Sequence, residues 1–293
     1  MKAFDTPRPV ELNIELVLGD VHLIASDRRD TVVMVNPSDP ERKVDVEAAK
    51  QTLVELVGTR LLVRTPKARG MGMWVSFGPY GSVDLVIELP EGSRVDATTG
   101  MAHVRCDGRL GETRIKNGAG DVVLDQTGPL DVAIGAGRVS VARVAGPADV
   151  TSAGDMHIGL VEGDADIKNQ SGRTNVGEVK GRLRVRSSNG DIKAGRTGGD
   201  LTAKTANGYI EIGELSTGTA ILQTAAGGID VGIRSGTAAW VDAKTGFGRV
   251  QNALESTGSP DPSQTTVELT ARTSFGDIAI HRARPEEEKG FAS

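Results

Sequence analysis

Apolar residues recur along this chain in short bursts at every second position, and each burst follows a glycine. The unit is Gly, any residue, apolar, any residue, apolar. It starts at Gly81, Gly100, Gly120, Gly137, Gly154, Gly172, Gly190, Gly208, Gly227, Gly248 and Gly276, with an earlier copy at Gly19. Gly172, Gly190 and Gly208 lie 18 residues apart, and the rest stay close to that period except before Gly276. The excess there is Ser256-Thr257-Gly258-Ser259-Pro260-Asp261-Pro262-Ser263, a loop composition. Two residues after the glycine stand Val122, Val139, Met156, Ile192, Ile210 and Ile229, and four after it Leu124, Val141, Ile158, Ala194, Ile212 and Val231. The position between them is mostly polar, as in Ser140, Lys193, Glu211 and Asp230. Alternation with period two is the signature of a strand with one buried face.

A second alternating run precedes each glycine, as in Leu183 and Val185 or Leu201 and Ala203. Short elbows such as Gly213-Glu214-Leu215-Ser216-Thr217-Gly218 lie between the runs, giving two or three strands per coil. Asn117-Gly118, Asn189-Gly190 and Asn207-Gly208 place residues that tolerate left-handed backbone at one corner. One such coil has no partner for its apolar face, whereas a stack of coils about 4.8 Å apart pairs every strand and lines a continuous core. The pattern therefore predicts an all-β chain, a single-stranded parallel β-helix (β-solenoid) with coils of about 17–20 residues. Right-handed winding follows the usual crossover preference.

Residues 1–80 fit the period less well and are expected to form an irregular β-rich N-terminal cap, continuous with solenoid coils over 81–282. Leu12–Leu16, Val21–Ala25, Thr31–Val35 and Leu61–Val63 read as strands, Asn36–Pro40 as a loop, and Asp45–Leu56 as a short helix or a strand. Residues 283–293, with Glu286-Glu287-Glu288-Lys289, read as a disordered tail.

Composition agrees with a stack of thin layers. Gly is 38 of 293 residues, which disfavours long helices, and aromatics are 3 %, too few for a conventional globular core. A net charge of −5, without a Lys/Arg run interleaved with aromatics, argues against nucleic acid as a partner. Cys106 is alone, so no intrachain disulfide forms. No apolar h-region and no stretch of 18 apolar residues is present, which predicts no membrane span and a cytoplasmic location, with envelope association only through a partner.

Catalytic motifs are missing: there is no phosphate loop, no His-Glu-x-x-His, no cysteine pair for zinc and no nucleophile elbow. No cofactor, metal or small-molecule substrate is expected. One residue after the repeat glycine, Asp121, Arg138, Asp155, Arg173 and Asp191 alternate in sign, which predicts an outward ladder of weak ion pairs. His22, His103 and His157 share the position three after the glycine, but in coils too far apart to hold one ion. A carbohydrate-active enzyme would need carboxylates converging on neighbouring coils, and those of the ladder each face an Arg.

Three of the nine aromatics fall within 66–81, so Met71, Met73, Trp74, Phe77 and Tyr80 are the candidate docking loop, the alternative being a plug over the solenoid end.

Several segments carry a family resemblance: Phe4-Asp5-Thr6-Pro7, Gly19-Asp20-Val21, Ser38-Asp39-Pro40, Ile87-Glu88-Leu89-Pro90-Glu91-Gly92-Ser93, Lys204-Thr205-Ala206-Asn207-Gly208, Ala239-Trp240 and Arg272-Thr273-Ser274-Phe275-Gly276-Asp277-Ile278. Over nearly its whole length the chain resembles the bacterial β-strand-repeat proteins known as "putative adhesins", a domain-of-unknown-function family common in actinobacteria. The resemblance implies a β-repeat fold and no catalytic residues. Its implied functions are a non-enzymatic scaffold that binds an unknown protein partner or itself through a face or an end, or an envelope-associated adhesin or stress-response component. A polysaccharide-active β-helix enzyme is the remaining alternative.

Overall fold

The structure is a computed structural model that describes residues 1–66, 81–254 and 265–283. The chain divides into two compact units, Met1–Ile158 and Gly159–Ser293. In each, strands stack in two sheets around a thin aliphatic core.

The regular coil is clearest in the second unit. Each coil gives one strand to each sheet, for example Leu183–Asn189 to one and Ile192–Thr197 to the other. Both pair in parallel with the next coil in unbroken register: Leu183 with Leu201, Val185 with Ala203, Ile192 with Ile210, Ala194 with Ile212. All eight side chains are buried. The chain is thus the β-solenoid that the period predicts, with two strands per coil. The segment read as an elbow at Gly213-Glu214-Leu215 is the continuation of the strand Ile210–Leu215.

Glycine is required at the corner between the two strands. Gly190 and Gly208 have φ of 132° and 153°, where a side chain is strained. A Cβ on either would also collide with the carbonyl of the corner glycine one coil earlier. The asparagines read as corner residues behave differently. No non-glycine residue among those described has positive φ. Asn117 points inward, is buried, and donates from Nδ2 to the carbonyl of Ala102 at 2.8 Å. Later coils place a threonine there: Thr224 Oγ donates to Gly208 O (3.0 Å), Thr273 to Gly227 O (2.9 Å) and Thr245 to Gly276 O (2.8 Å). The inner column of polar side chains satisfies corner carbonyls that the ladder leaves open.

Two early copies were aligned one pleat out. Val122 pairs with Val104, not Ala102, and Val21 pairs with both Leu85 and Val104. The glycine position is therefore held by Ala102 and Val83 in those coils, while Gly100 and Gly81 lie two residues upstream. A shift of two keeps apolar residues facing inward, so the alternation alone did not reveal it.

The first unit contains its own closed end. Lys2–Asp5 pairs antiparallel with Asp30–Pro37, and Asp30–Pro37 antiparallel with Val83–Pro90, which returns to parallel pairing on Val21–Ser26. In the other sheet the hairpin of Leu53–Val57 and Arg60–Arg64 pairs through the latter with Glu11–Leu18. The ambiguous 45–56 stretch is both elements in turn, the helix Lys43–Gln51 and then the strand Leu53–Val57. Asp45 fixes the helix: its buried carboxylate accepts the backbone N–H of Ser82 at 3.0 Å. The strand Asp30–Pro37 also runs into the segment read as a loop, which starts at Ser38. Val33, Val54, Leu61 and Val63 are all buried at this end.

The second unit ends differently, and its last two coils exchange places. Thr266–Phe275 lies between Gly218–Ala226 and Ala238–Phe247, and Ile278–Arg282 lies between Ile229–Ile233 and Val250–Asn252. The coil of 266–282 is thus inside, and the coil of 238–252, although earlier in sequence, is outermost. Side-chain size explains the exchange. The inner coil offers Leu269, Ile278 and Ile280 to the core where the outer offers Val241, Val250 and Asn252, so the more apolar coil takes the fully buried place.

Candidate functional site

The five residues of the candidate docking loop, Met71, Met73, Trp74, Phe77 and Tyr80, lie outside the described residues, as do most of the insertion and 284–293. The remaining candidates can be placed.

The sign-alternating column is a corner device. Arg138 donates its backbone N–H to Asp121 Oδ1 (2.8 Å), Tyr209 to Asp191 Oδ1 (2.8 Å) and Arg249 to Asp277 Oδ1 (2.8 Å). His103 does the same to Asp20 at 3.2 Å. A second corner repeats it, where Asp164 accepts from Arg182 N (2.9 Å) and Asp200 from Thr219 N (2.9 Å). Each aspartate caps a corner N–H on the neighbouring coil, and at Asp164 the Arg182 guanidinium adds an ion pair at 3.0 Å. At Asp121 and Asp191 the carboxylate of the ladder rests on a backbone N–H of the next coil, a contact that a charge count along the sequence does not reveal.

The three histidines do not share one position, because His103 falls outside the column of His22. His103 occupies the corner position beside Asp121 and accepts that residue's N–H on Nδ1 at 3.2 Å. His22 lies in the strand and meets Asp107 through Nε2 at 2.6 Å, where Arg105 also binds the carboxylate at 2.8 Å. The hydrogen bonds from Arg105, and then from His22, hold the Asp107 carboxyl below the usual carboxylate range. Cys106 points the other way, into the core. Burial, followed by the charges of Asp107 and Asp125, pushes its thiol up to about 12. A thiol so placed is a small core residue and a poor nucleophile. Among the described residues no three His, Cys, Asp or Glu side chains gather in a way that would hold a metal ion.

One depression in the first unit, about 210 Å³, is lined by charged side chains on the outer face of one sheet. Its acids and bases are matched: Arg60 with Glu11 (3.7 Å), Arg94 with Glu112 (3.9 Å), Arg114 with Asp96 (3.7 Å) and Asp131 (3.2 Å).

The last two coils of the second unit carry a group of exposed apolar side chains. Trp240 is 66 % exposed, Phe247 72 %, Phe275 59 % and Val250 43 %. Phe247 stacks on Phe275 with centroids 5.1 Å apart. Val250 occupies a position that is fully buried in the inner coils, at Ile278 and Ile229. Among the described residues Ala238–Phe247 and Val250–Asn252 have a strand neighbour on one side only. Sequence reasoning placed docking aromatics in 66–81 and missed this cluster. Its signal was available, since Trp240 falls on an outward position of its strand and Phe247 and Phe275 occupy equivalent places in the repeat.

No helix among the described residues is long and apolar enough to cross a membrane. No match is found among the curated proteins. Solved structures similar to the chain include a protein from Bacteroides fragilis named a "putative adhesin" (9 % identity, TM-score 0.39, 95 % of each chain covered). Others are a "putative lipid binding protein" from Parabacteroides distasonis (9 %, 0.38, 97 % of this chain and 96 % of that one) and a "putative cell adhesion protein" from Clostridium sporogenes (13 %, 0.20, 95 % and 94 %). The Toastrack DUF4097 family model matches residues 10–281, and the chain belongs to that family.

Proposed function

We propose that the protein is a non-enzymatic interaction scaffold, and that its outermost coil, residues 238–252, joins a second copy of the same chain. The observation that carries this reading is the pair of open strand edges bordered by Trp240, Phe247 and Val250. Unpaired edges are templates for another strand, and exposed aromatics supply the apolar area such contacts bury. The edge is self-complementary. In an antiparallel pair of two copies of Ala238–Phe247 centred on Ala243, Asp242 of each faces Lys244 of the other, and opposite charges across strands favour that register. The mixed, matched charges of the depression in the first unit support a surface that does not process a substrate.

Sedimentation equilibrium tests this. The native chain is expected to show a concentration-dependent dimer, and Trp240→Ser with Phe247→Ser to remain monomeric with an unchanged circular dichroism spectrum. A native chain that stays monomeric at high micromolar concentration would reject the proposal, as would a dimer that persists in the double variant.

A further inference from the structure

Stacking assembles a charged surface that the linear sequence conceals. In the second unit one outward column of one sheet reads, coil by coil, Lys168, Arg186, Lys204, Gln223, Arg272 and Lys244. Each is paired directly with the next in parallel register. Five of the six are basic, and those five side chains are exposed. At a coil spacing of about 4.8 Å the line extends roughly 24 Å. These residues are far apart in sequence, so no Lys/Arg run marks them, and the net charge of −5 points the opposite way.

The neighbouring columns define the width of the line. On one side stand Asp166, Arg184, Thr202, Ile221, Thr270 and Asp242, with acids only at the two ends. There Asp166 meets Lys168 (3.7 Å) and Asp242 meets Arg272 (2.8 Å) and Lys244 (3.3 Å). On the other side stand Gln170, Ser188, Ala206, Ala225, Ser274 and Gly246, all uncharged and, after Gln170, all small. In the middle, Arg186 and Lys204 face each other across adjacent strands and have no carboxylate partner among the described residues. Like charges directly opposite destabilise a sheet. An external anion is what would relieve that repulsion.

The geometry points to a binding track for a linear polyanion, a flexible chain bearing carboxylate, sulfate or phosphate groups, lying along the stack over Arg186, Lys204 and Arg272. The width of one residue favours a polymer over an anionic membrane, which would cover the whole sheet face and meet Asp164, Asp166, Asp200 and Asp242 as well. The absence of an aromatic among the central columns leaves no platform for stacked bases, which disfavours single-stranded nucleic acid. This track is separate from the self-association edge: its central residues lie outside the last coil, and its readout is affinity for an anion rather than mass.

Heparin is the probe, with the full chain at low ionic strength and affinity read by titration. Binding is expected, with log affinity falling against log salt with a slope on the order of −2 to −3 for three neutralised contacts, by analogy with linear phosphate polymers. Arg186→Gln with Lys204→Gln is expected to weaken binding at least tenfold. Lys116→Gln, at the equivalent column in the first unit, is expected to leave it unchanged. Thermal melting shows that the double variant is folded, and its midpoint should equal or slightly exceed that of the native chain because the cross-strand repulsion is gone. The proposal is overturned if heparin does not bind or if the double variant binds it as well as the native chain. It is equally overturned if vesicles of phosphatidylcholine with phosphatidylglycerol, or oligodeoxythymidine, bind more tightly than heparin.

Discussion

The two units are made from one coil and differ in what they add to it. Both have inward aliphatic columns, corner glycines at positive φ, inward polar side chains on the corner carbonyls and aspartates on the corner N–H groups. The first unit closes its end with antiparallel strands and a helix, and the outward column equivalent to the basic track reads Arg64, Glu15, Thr98, Lys116, Ala133 and Thr151, with Arg64 paired to Glu15 at 2.8 Å. The second unit ends in an exposed coil and turns the same column almost wholly basic. Core and corners therefore identify the fold in either half, while the outward columns and the end are free to vary. A function specific to this chain belongs with the features that vary.

If the coil is the same device in both units, equivalent corner substitutions should cost equally. Gly120→Ala in the first unit and Gly190→Ala in the second both force a side chain to positive φ and into a neighbouring backbone carbonyl. Each is expected to lower stability by about 3 kcal/mol or more. Gly58 in the hairpin also has positive φ, 62°, but open space where its Cβ would stand, so Gly58→Ala should cost only about 1 kcal/mol. Urea denaturation of the three variants checks the order. A small loss at Gly190 alone would show that the second unit tolerates a looser corner and would end the equivalence.

The fold was legible because its period is carried by two kinds of residue with strong physical preferences. Glycines mark the corners and alternating aliphatics mark the strands, and Ile192, Ala194, Ile210 and Ile212 fall where the pattern puts them. The two larger differences have one cause. The sequence records the order of coils along the chain, not their order in space, and so it missed the exchange of the last two coils. The same blindness hid the basic track, whose members meet only after stacking. The register slip at Gly81 and Gly100 arose from following glycine where Val83 and Ala102 had taken its place. The docking residues proposed within 66–81 lie outside the described structure, and the most exposed aromatics that are described, Trp240, Phe247 and Phe275, sit on the last two coils.

A finer comparison concerns the corner aspartates. If Asp121 and Asp191 act by accepting a neighbouring N–H, then Asp121→Asn and Asp191→Asn keep an acceptor oxygen and should change stability by less than about 0.5 kcal/mol. Asp121→Ala and Asp191→Ala remove it and should each cost about 1 kcal/mol, at an exposed site where water takes over part of the role. Thermal melting at low and high salt separates this from ion pairing. A large, salt-sensitive loss in the asparagine variants would restore side-chain charge as the working element of the ladder.

The effect that is smallest at neutral pH is confined to the first unit. Cys106 sits in its core between Leu23 and Leu124, whereas Val176, Ala194 and Ile212 fill the core in register in the second. In the unfolded chain its thiol titrates near 8.5; in the folded chain burial raises it to about 12. Its contribution is complete below the unfolded value and is lost as pH rises through the folded one, because only the unfolded chain releases the proton in between. Stability should therefore decline between about pH 9 and pH 12, and Cys106→Ala should remove that part of the slope at the cost of some packing. Labelling with a disulfide reagent at pH 8 provides an independent readout. The native thiol is expected to react only when the surrounding strands open, at a rate that rises with urea. Prompt labelling of the folded protein would mean that Cys106 is accessible, and that the core of the first unit is looser than the aliphatic column of the second.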